Sequence, residues 1–433
     1  MQRSLLRALP LALACTAGAL AADSQVWVVD AASGPGADFT ELQAAADAAG
    51  EGDTLLVRSG NYGPLSIDAK SLIVVEDEGA VAKVNGDQIH VRNLGASQRV
   101  ILSGLECVGP FQIFGNPYQP DLSAPLLLEN NAGVVWIEDC SFVALPGNGF
   151  VYAGAGAVAR QCAQLVLLRS TFLGSGATDE QSMPDDVNVV AGLAATDCAI
   201  HAYDSVMRGA SGPTLLFLSP APGGPGLALD GGTLTASNCV LQGGHGSAST
   251  PFSHVSPCTN AGDGGTGLVL LGAGTSAVTA LDCAILGGDP GLPLAPCAAG
   301  APGDAMDLGT GSLHLLPGEA RSFAASTPVR EQSAAQLDFE GEPGDLWVVF
   351  FSPGSQPFAL GGLGGSFVLG LPYVQALSGA LDAAGLGTAS VSPPALPPFC
   401  DARTVHVQPV FVSTAAEVVL GSGSSLTWVS AAL

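Results

Sequence analysis

The sequence predicts an all-β fold of stacked β-helix coils, with one helix lying over the first coil and a small β domain at the C-terminus. Three observations predict it. Short apolar runs are punctuated by 58 Gly and 30 Pro in a chain with only 12% charged residues, which is the pattern of many short strands and turns. One strand motif recurs between residues 100 and 290. A single capped-helix signal, Asp38 to Gly50, stands directly before the first strands.

The elements follow in order. Residues 1–21 have a basic start (Arg3, Arg7), an apolar run from Ala8 to Ala14 and the small residues Ala19-Leu20-Ala21, a secretory signal that is set aside from fold reasoning. Cys15 as a lipoprotein acyl site is the weaker alternative, because Ala12-Leu13-Ala14 is a poor approach to such a cysteine. No later segment offers the ~18 apolar residues of a spanning helix. Asp38 is placed to cap a helix, Glu41 to complete a capping box and Gly50 to end it in left-handed geometry, which predicts a helix over Phe39 to Ala49. Its narrow apolar side, Phe39, Leu42, Ala45, Ala46 and Ala49, suits a lid over an open sheet end. An Asp-Phe start, a Gln43-Ala44 helix, a strand and then Gly60-Asn61-Tyr62 together resemble the N-terminal cap of the pectate-lyase-like superfamily of secreted bacterial proteins. That resemblance implies a right-handed parallel β-helix over residues 22–320.

The repeat carries the coils. Its copies are Ile137, Cys140, Phe142; Leu167, Ser170, Phe172; Ala202, Ser205, Met207; Ala236, Cys239, Leu241; and Ala280, Cys283, Ile285. The polar column advances by 30, 35, 34 and 44 residues, read as a β-helix whose coils carry insertions of variable length. Stacking puts Cys140, Ser170, Ser205, Cys239 and Cys283 in one internal ladder, where small buried packing residues are favoured over bridged cysteines. The insertions His245–Gly267 and Gly287–Asp307 read as long Gly/Pro/Ser-rich loops. They carry Cys258 and Cys297, the best disulfide pair, since loops leaving neighbouring coils on one side can close on each other. From residue 321 the repeat stops. Strands at Leu346–Phe351, Ser366–Leu371, Thr404–Val412 and Glu417–Leu420 predict a β-sandwich-like domain over 321–433, with a final layer of the helix as the alternative.

Charge limits the partners. With 38 acids against 13 bases the net charge is −25, which repels nucleic acid and anionic bilayers and favours a neutral glycan or a surface protein. Nine cysteines follow the signal, without a Cys-x-x-Cys pair or zinc spacing to histidine, so no metal cofactor is expected. Ca²⁺ is the one exception, because Asp179, Glu180, Asp185 and Asp186 supply four carboxylates in one loop.

Catalytic constellations are weak. Gly244-His245-Gly246 with Asp185-Asp186 resembles the polygalacturonase-like glycosidases, but the acids lie about 60 residues away and the flanking motifs are missing. Val134 to Phe142 resembles a pectate lyase strand in which Cys140 replaces the histidine, and no arginine base can be placed. The Gly262–Gly267 glycines precede a strand, where a dinucleotide fingerprint must follow one. An outward column Asp139, Arg169, Asp204, Asn238 and Asp282 reads either as a surface ionic ladder or as a groove floor, with Asp139, Arg169 and Asp204 as the binding candidates. The catalytic candidates are Asp185, Asp186, Asp204, Arg169 and His245. Only four Trp and five Tyr are available for sugar stacking. The sequence therefore points to a monomeric, exported, non-catalytic binding or structural module in the periplasm, at the cell surface or secreted, with carbohydrate as a candidate ligand. A polysaccharide lyase or glycoside hydrolase using the Asp179 to Asp204 region is the rival.

Overall fold

The computed structural model describes residues 24–110, 123–145, 154–176, 191–212, 221–249, 260–272, 276–295, 297–360 and 363–433. Among them are 33 strands and one helix. Up to Leu316 the strands stack in parallel, compatible with a parallel β-helix, and each layer has three faces. The first face runs from Leu65–Asp68 through Ile89–Arg92, and the second from Val26–Val29 through Thr54–Val57, Leu72–Glu76 and Arg99–Ser103. Four long strands, Leu126–Glu138, Ala157–Leu168, Leu193–Tyr203 and Leu227–Ser237, run unbroken around the bend between these faces and join them into one 14-stranded sheet. The third face has eight three- or four-residue strands, from Gly60–Tyr62 to Ala284–Leu286. Inward residues such as Leu65, Ile89, Leu126, Phe142, Phe172 and Met207 fill one continuous core.

Two columns of left-handed residues turn the corners. Between the second and third faces stand Gly104, Asp139, Arg169, Asp204, Asn238 and Asp282, and between the first and second stand Ala69, Asn93, Asn130, Gln161, Asp197, Gly231 and Gly272, all at positive φ. Asp and Asn dominate because they tolerate this geometry best among residues with a side chain. The residue behind each corner points inward. The predicted ladder is present: the Cys140 amide donates to Ser170 Oγ (3.1 Å), that of Ser170 to Ser205 Oγ (3.2 Å) and that of Cys239 to Cys283 Sγ (3.4 Å). Each ladder side chain also donates to the carbonyl two residues earlier. A second ladder, Asn131, Cys162 and Cys198, stands behind the other corner.

The Gly-rich insertions differ from the expectation of loops. The described segments 209–212, 221–226, 243–249, 260–267, 287–294 and 298–305 are neither strand nor helix, yet their amides bond at every third residue. Gly243, Gly246 and Ser249 donate to the carbonyls of Leu286, Asp289 and Leu292 (2.9 to 3.0 Å), while Ala261, Gly264 and Gly267 donate to Ala298, Ala301 and Asp304 (2.9 to 3.1 Å). That period is the one of polyproline II, which has no hydrogen bonds of its own and must find partners in neighbouring chains. Gly224, Gly244, Gly265, Gly288 and Gly303 cross-link the outgoing row (243–249, 287–294) to the returning row (221–226, 260–267, 298–305). Glycine is required here for proximity, not for φ: a Cβ on Gly244 would sit 1.8 Å from the Ala210 carbonyl oxygen. In the last layer the equivalent donor positions include Pro290, Pro293 and Pro302, which have no N–H.

The helix is shorter than predicted, Leu42–Ala48, and is capped differently. Asp38 Oδ2 accepts the Val28 amide at 2.9 Å, so it serves the first strand. Glu41 occupies the N-cap without a side-chain bond, and Ala49 leaves in extended geometry. Lys70 Nζ donates to the carbonyls of Ala46 (2.8 Å) and Ala49 (2.7 Å), satisfying the exposed C-terminal end with a cation. Leu42, Ala45 and Ala46 are buried in the stack core.

Among the described residues from Ser322 onward no strand pairs with the parallel sheets. Ser322–Ala325, Ala335–Glu340 and Leu386–Val391 form one antiparallel sheet. Leu346–Ser352, Val374–Ala380, Ala402–Val412, Val418–Leu420, Ser424–Val429 and Val329–Arg330 form another. Phe323, Leu337 and Phe339 from the first pack with Trp347, Val349, Phe411 and Trp428 from the second in a separate core. A further apolar cluster joins this segment to the stack: Val28, Leu56, Val75, Trp136, Leu168 and Tyr203 meet Val368, Leu420 and Val429.

Candidate functional site

The outward column lies along a corner of the stack, where Arg169 pairs with Asp139 and with Glu138, while Asp204 bonds to Asn238 and Ser322. What lies on it is the C-terminal segment. Arg169 is positioned by its left-handed corner, and its Nε and Nη2 donate to Asp139 Oδ1 (2.8 Å) and Oδ2 (3.1 Å). Nη1 donates to the Phe323 carbonyl (2.8 Å) and the Gly423 carbonyl (3.3 Å), and Nη2 also meets Glu138 Oε1. Burial works against the guanidinium charge, but Glu138 and Asp139 outweigh it and raise its pKa further. Asp204 Oδ1 accepts from Ser322 Oγ (2.6 Å) and Asn238 Nδ2 (2.7 Å), and Asp282 Oδ2 accepts the Ala320 amide (3.1 Å).

Glu138 is the residue that the sequence reading missed. It is completely buried and makes bonds through both carboxylate oxygens: Oε1 to Arg169 and Ser424 Oγ, Oε2 to Ser425 N (2.7 Å), Ser425 Oγ (2.6 Å) and Trp136 Nε1 (2.8 Å). A signal existed. Strands such as Leu72-Ile73-Val74-Val75 are apolar on both faces, which marks a sheet covered on both sides. Glu138 shares the outward face with Trp136 in just such a strand.

Two histidines lie in the same junction. His201 Nδ1 is 2.7 Å from Ser366 Oγ, and burial lowers its pKa to about 4. His406 is fully buried, its ring tilted by 53° to that of Trp136 with centroids 4.6 Å apart, and neither ring nitrogen has a protein hydrogen-bond partner. Burial first, and the Arg99 charge second, hold it well below the ordinary histidine range. Tyr203 exchanges hydrogen bonds with the Ser366 backbone, and burial raises its pKa.

The other candidates are dispersed. His245 lies on the outer face of the glycine bundle, 3.3 Å from Asp289 Oδ2, with its amide on Ser211 Oγ. Asp179, Glu180, Asp185, Asp186 and Cys258 lie outside the described residues, so the Ca²⁺ loop, the paired acids and the Cys258–Cys297 bridge have no structural account. Among the described residues no group of three His, Cys, Asp or Glu could hold a metal. Burial pushes the Cys107 thiol up to about 12 and Cys140 higher still, as inert packing residues require. On the first face a second ionic column pairs Arg92 with Asp68 (3.0 Å), and Glu129 with both His90 (3.0 Å) and Arg160 (3.5 Å). No helix among the described residues is long and apolar enough to cross a membrane. No family model matches this sequence, and a search of curated proteins returns no match.

Proposed function

We propose that this chain is an exported, non-catalytic binding and structural module for neutral carbohydrate. In this reading the stack is a right-handed parallel β-helix over 22–320, closed at its first coil by the helix and carrying a β-sandwich-like domain over 321–433. The protein works as a monomer outside the cytoplasm. One observation carries the non-catalytic part: in the most chemically suggestive column, Asp139 is held by Arg169, Arg169 is also held by carbonyls of the C-terminal segment, and Asp204 Oδ1 is taken by Asn238 and Ser322 while its Oδ2 is buried away from solvent. A catalytic acid, base or transition-state cation must instead reach substrate. The net charge of −25 supports a neutral ligand over a polyanionic one.

A panel of soluble neutral and acidic polysaccharides, assayed with and without Ca²⁺ for both binding and released product, tests this. Binding of a neutral glycan without product and without a Ca²⁺ requirement is expected. Release of unsaturated or reducing ends would replace the reading by a lyase or hydrolase.

A further inference from the structure

The C-terminal segment carries a face of clustered, partly exposed aromatic rings. Phe367, nearly buried, is flanked by Tyr373 (ring centroids 5.4 Å) and Phe358 (5.7 Å), and Phe350 lies edge-on to Tyr373 at 5.7 Å. Phe358 and Tyr373 are each 44% exposed. In a chain with 6% aromatics this is a concentration of exposed rings. The charge pattern is equally distinct. From Leu346 to Leu381 there is no charged residue, although the whole chain carries −25. Gln375, exposed, pairs directly with Phe350 across the sheet and so shares its face with Tyr373 two residues away.

We propose that this face is the glycan-binding surface, taking uncharged pyranose rings against Tyr373 and Phe358. The inference rests on the carbohydrate reading above. The C–H faces of a pyranose are apolar and slightly positive, which suits the negative face of an aromatic ring, while the Gln375 amide and the Tyr373 hydroxyl meet ring hydroxyls. An uncharged segment on an acidic protein gives a cationic partner less attraction than the remaining surface does and imposes no repulsion on a neutral one.

Affinity electrophoresis of the full chain through gels containing a soluble β-glucan, xylan or mannan tests the assignment, using Tyr373→Ala, Phe358→Ala and the double variant. Both rings are half-exposed, so the thermal midpoint should fall only modestly with the fold retained, and that is measured alongside. The double variant is expected to lose at least tenfold in affinity for whichever glycan retards the unmodified protein. Equal retardation of both proteins overturns this site but leaves the carbohydrate reading standing. No retardation of the unmodified protein by any glycan removes the carbohydrate reading and this site with it. Binding to phosphatidylcholine vesicles, or a sedimenting dimer, that disappears in the double variant would reassign the face to a lipid surface or to a second copy.

Discussion

Glu138 and Gly244 show how differently single residues can matter in this fold. The Glu138 carboxylate is buried with no exposure and is compensated by Arg169, Trp136, Ser424 and Ser425. Removing one partner of such a pair leaves the other charge uncompensated, typically at about 3–5 kcal/mol. Glu138→Ala should therefore lower stability by that order in urea unfolding, and adding Arg169→Met should restore part of the loss. A Glu138→Ala protein as stable as the parent would mean the junction is held by apolar contact alone. Gly244→Ala meets the Ala210 carbonyl oxygen at 1.8 Å, whereas a Cβ on Gly354 meets nothing within 4 Å. The first should cost several kcal/mol, on the order of 3 or more, and the second should stay within about 0.5 kcal/mol. At this scale the outward column of Asp139, Arg169, Asp204, Asn238 and Asp282 was legible from the repeat spacing, but its role as a row of left-handed corners was not read from the sequence. Glu138 was not legible, because its partners lie nearly 290 residues away in sequence.

Among the elements, the parallel strands could be read from alternation and spacing, while the helix and the glycine segments were misread for identifiable reasons. Asp38 is attractive as a cap in isolation, but the Val28 amide competes for its carboxylate and takes it. The glycine runs look like loops because the threefold period of polyproline II, built here mostly of glycine, leaves no apolar pattern to detect. Its order comes only from neighbouring chains. Leu42 is 1% exposed, and Leu42→Asp would place an unpaired carboxylate in the core of the first layers. Aggregation or failed secretion is expected, measured as the soluble yield against the parent. A monodisperse product at parental yield would show that the helix covers nothing essential.

At the scale of the whole molecule, the C-terminal segment and the stack are joined across a junction that contains both His201 and His406, and this sets a pH dependence. Both are held below the ordinary histidine value of about 6.5, His201 at about 4, so the unfolded chain binds more protons than the folded one in the window between. Stability should be full above about pH 6.5 and fall as pH drops toward 4, with His201 alone contributing up to roughly 3 kcal/mol. Thermal melts at pH 7.5 and 4.5 should show the drop, and His201→Asn with His406→Gln should flatten it. An unchanged drop in the double variant would place the titration elsewhere. The fold class was legible at this scale, since Gly, Pro and short apolar runs left little else, but the seating of 321–433 on the stack was not, because no local pattern encodes it. The prolines of the last glycine layer give the molecule a polymer chemist's property. Each layer hands its amides to the next, so the bundle is a directional lattice with a growing end, and Pro290, Pro293 and Pro302 act there as chain terminators. The last layer thus offers fewer amides for a further chain to continue the lattice than the layers before it.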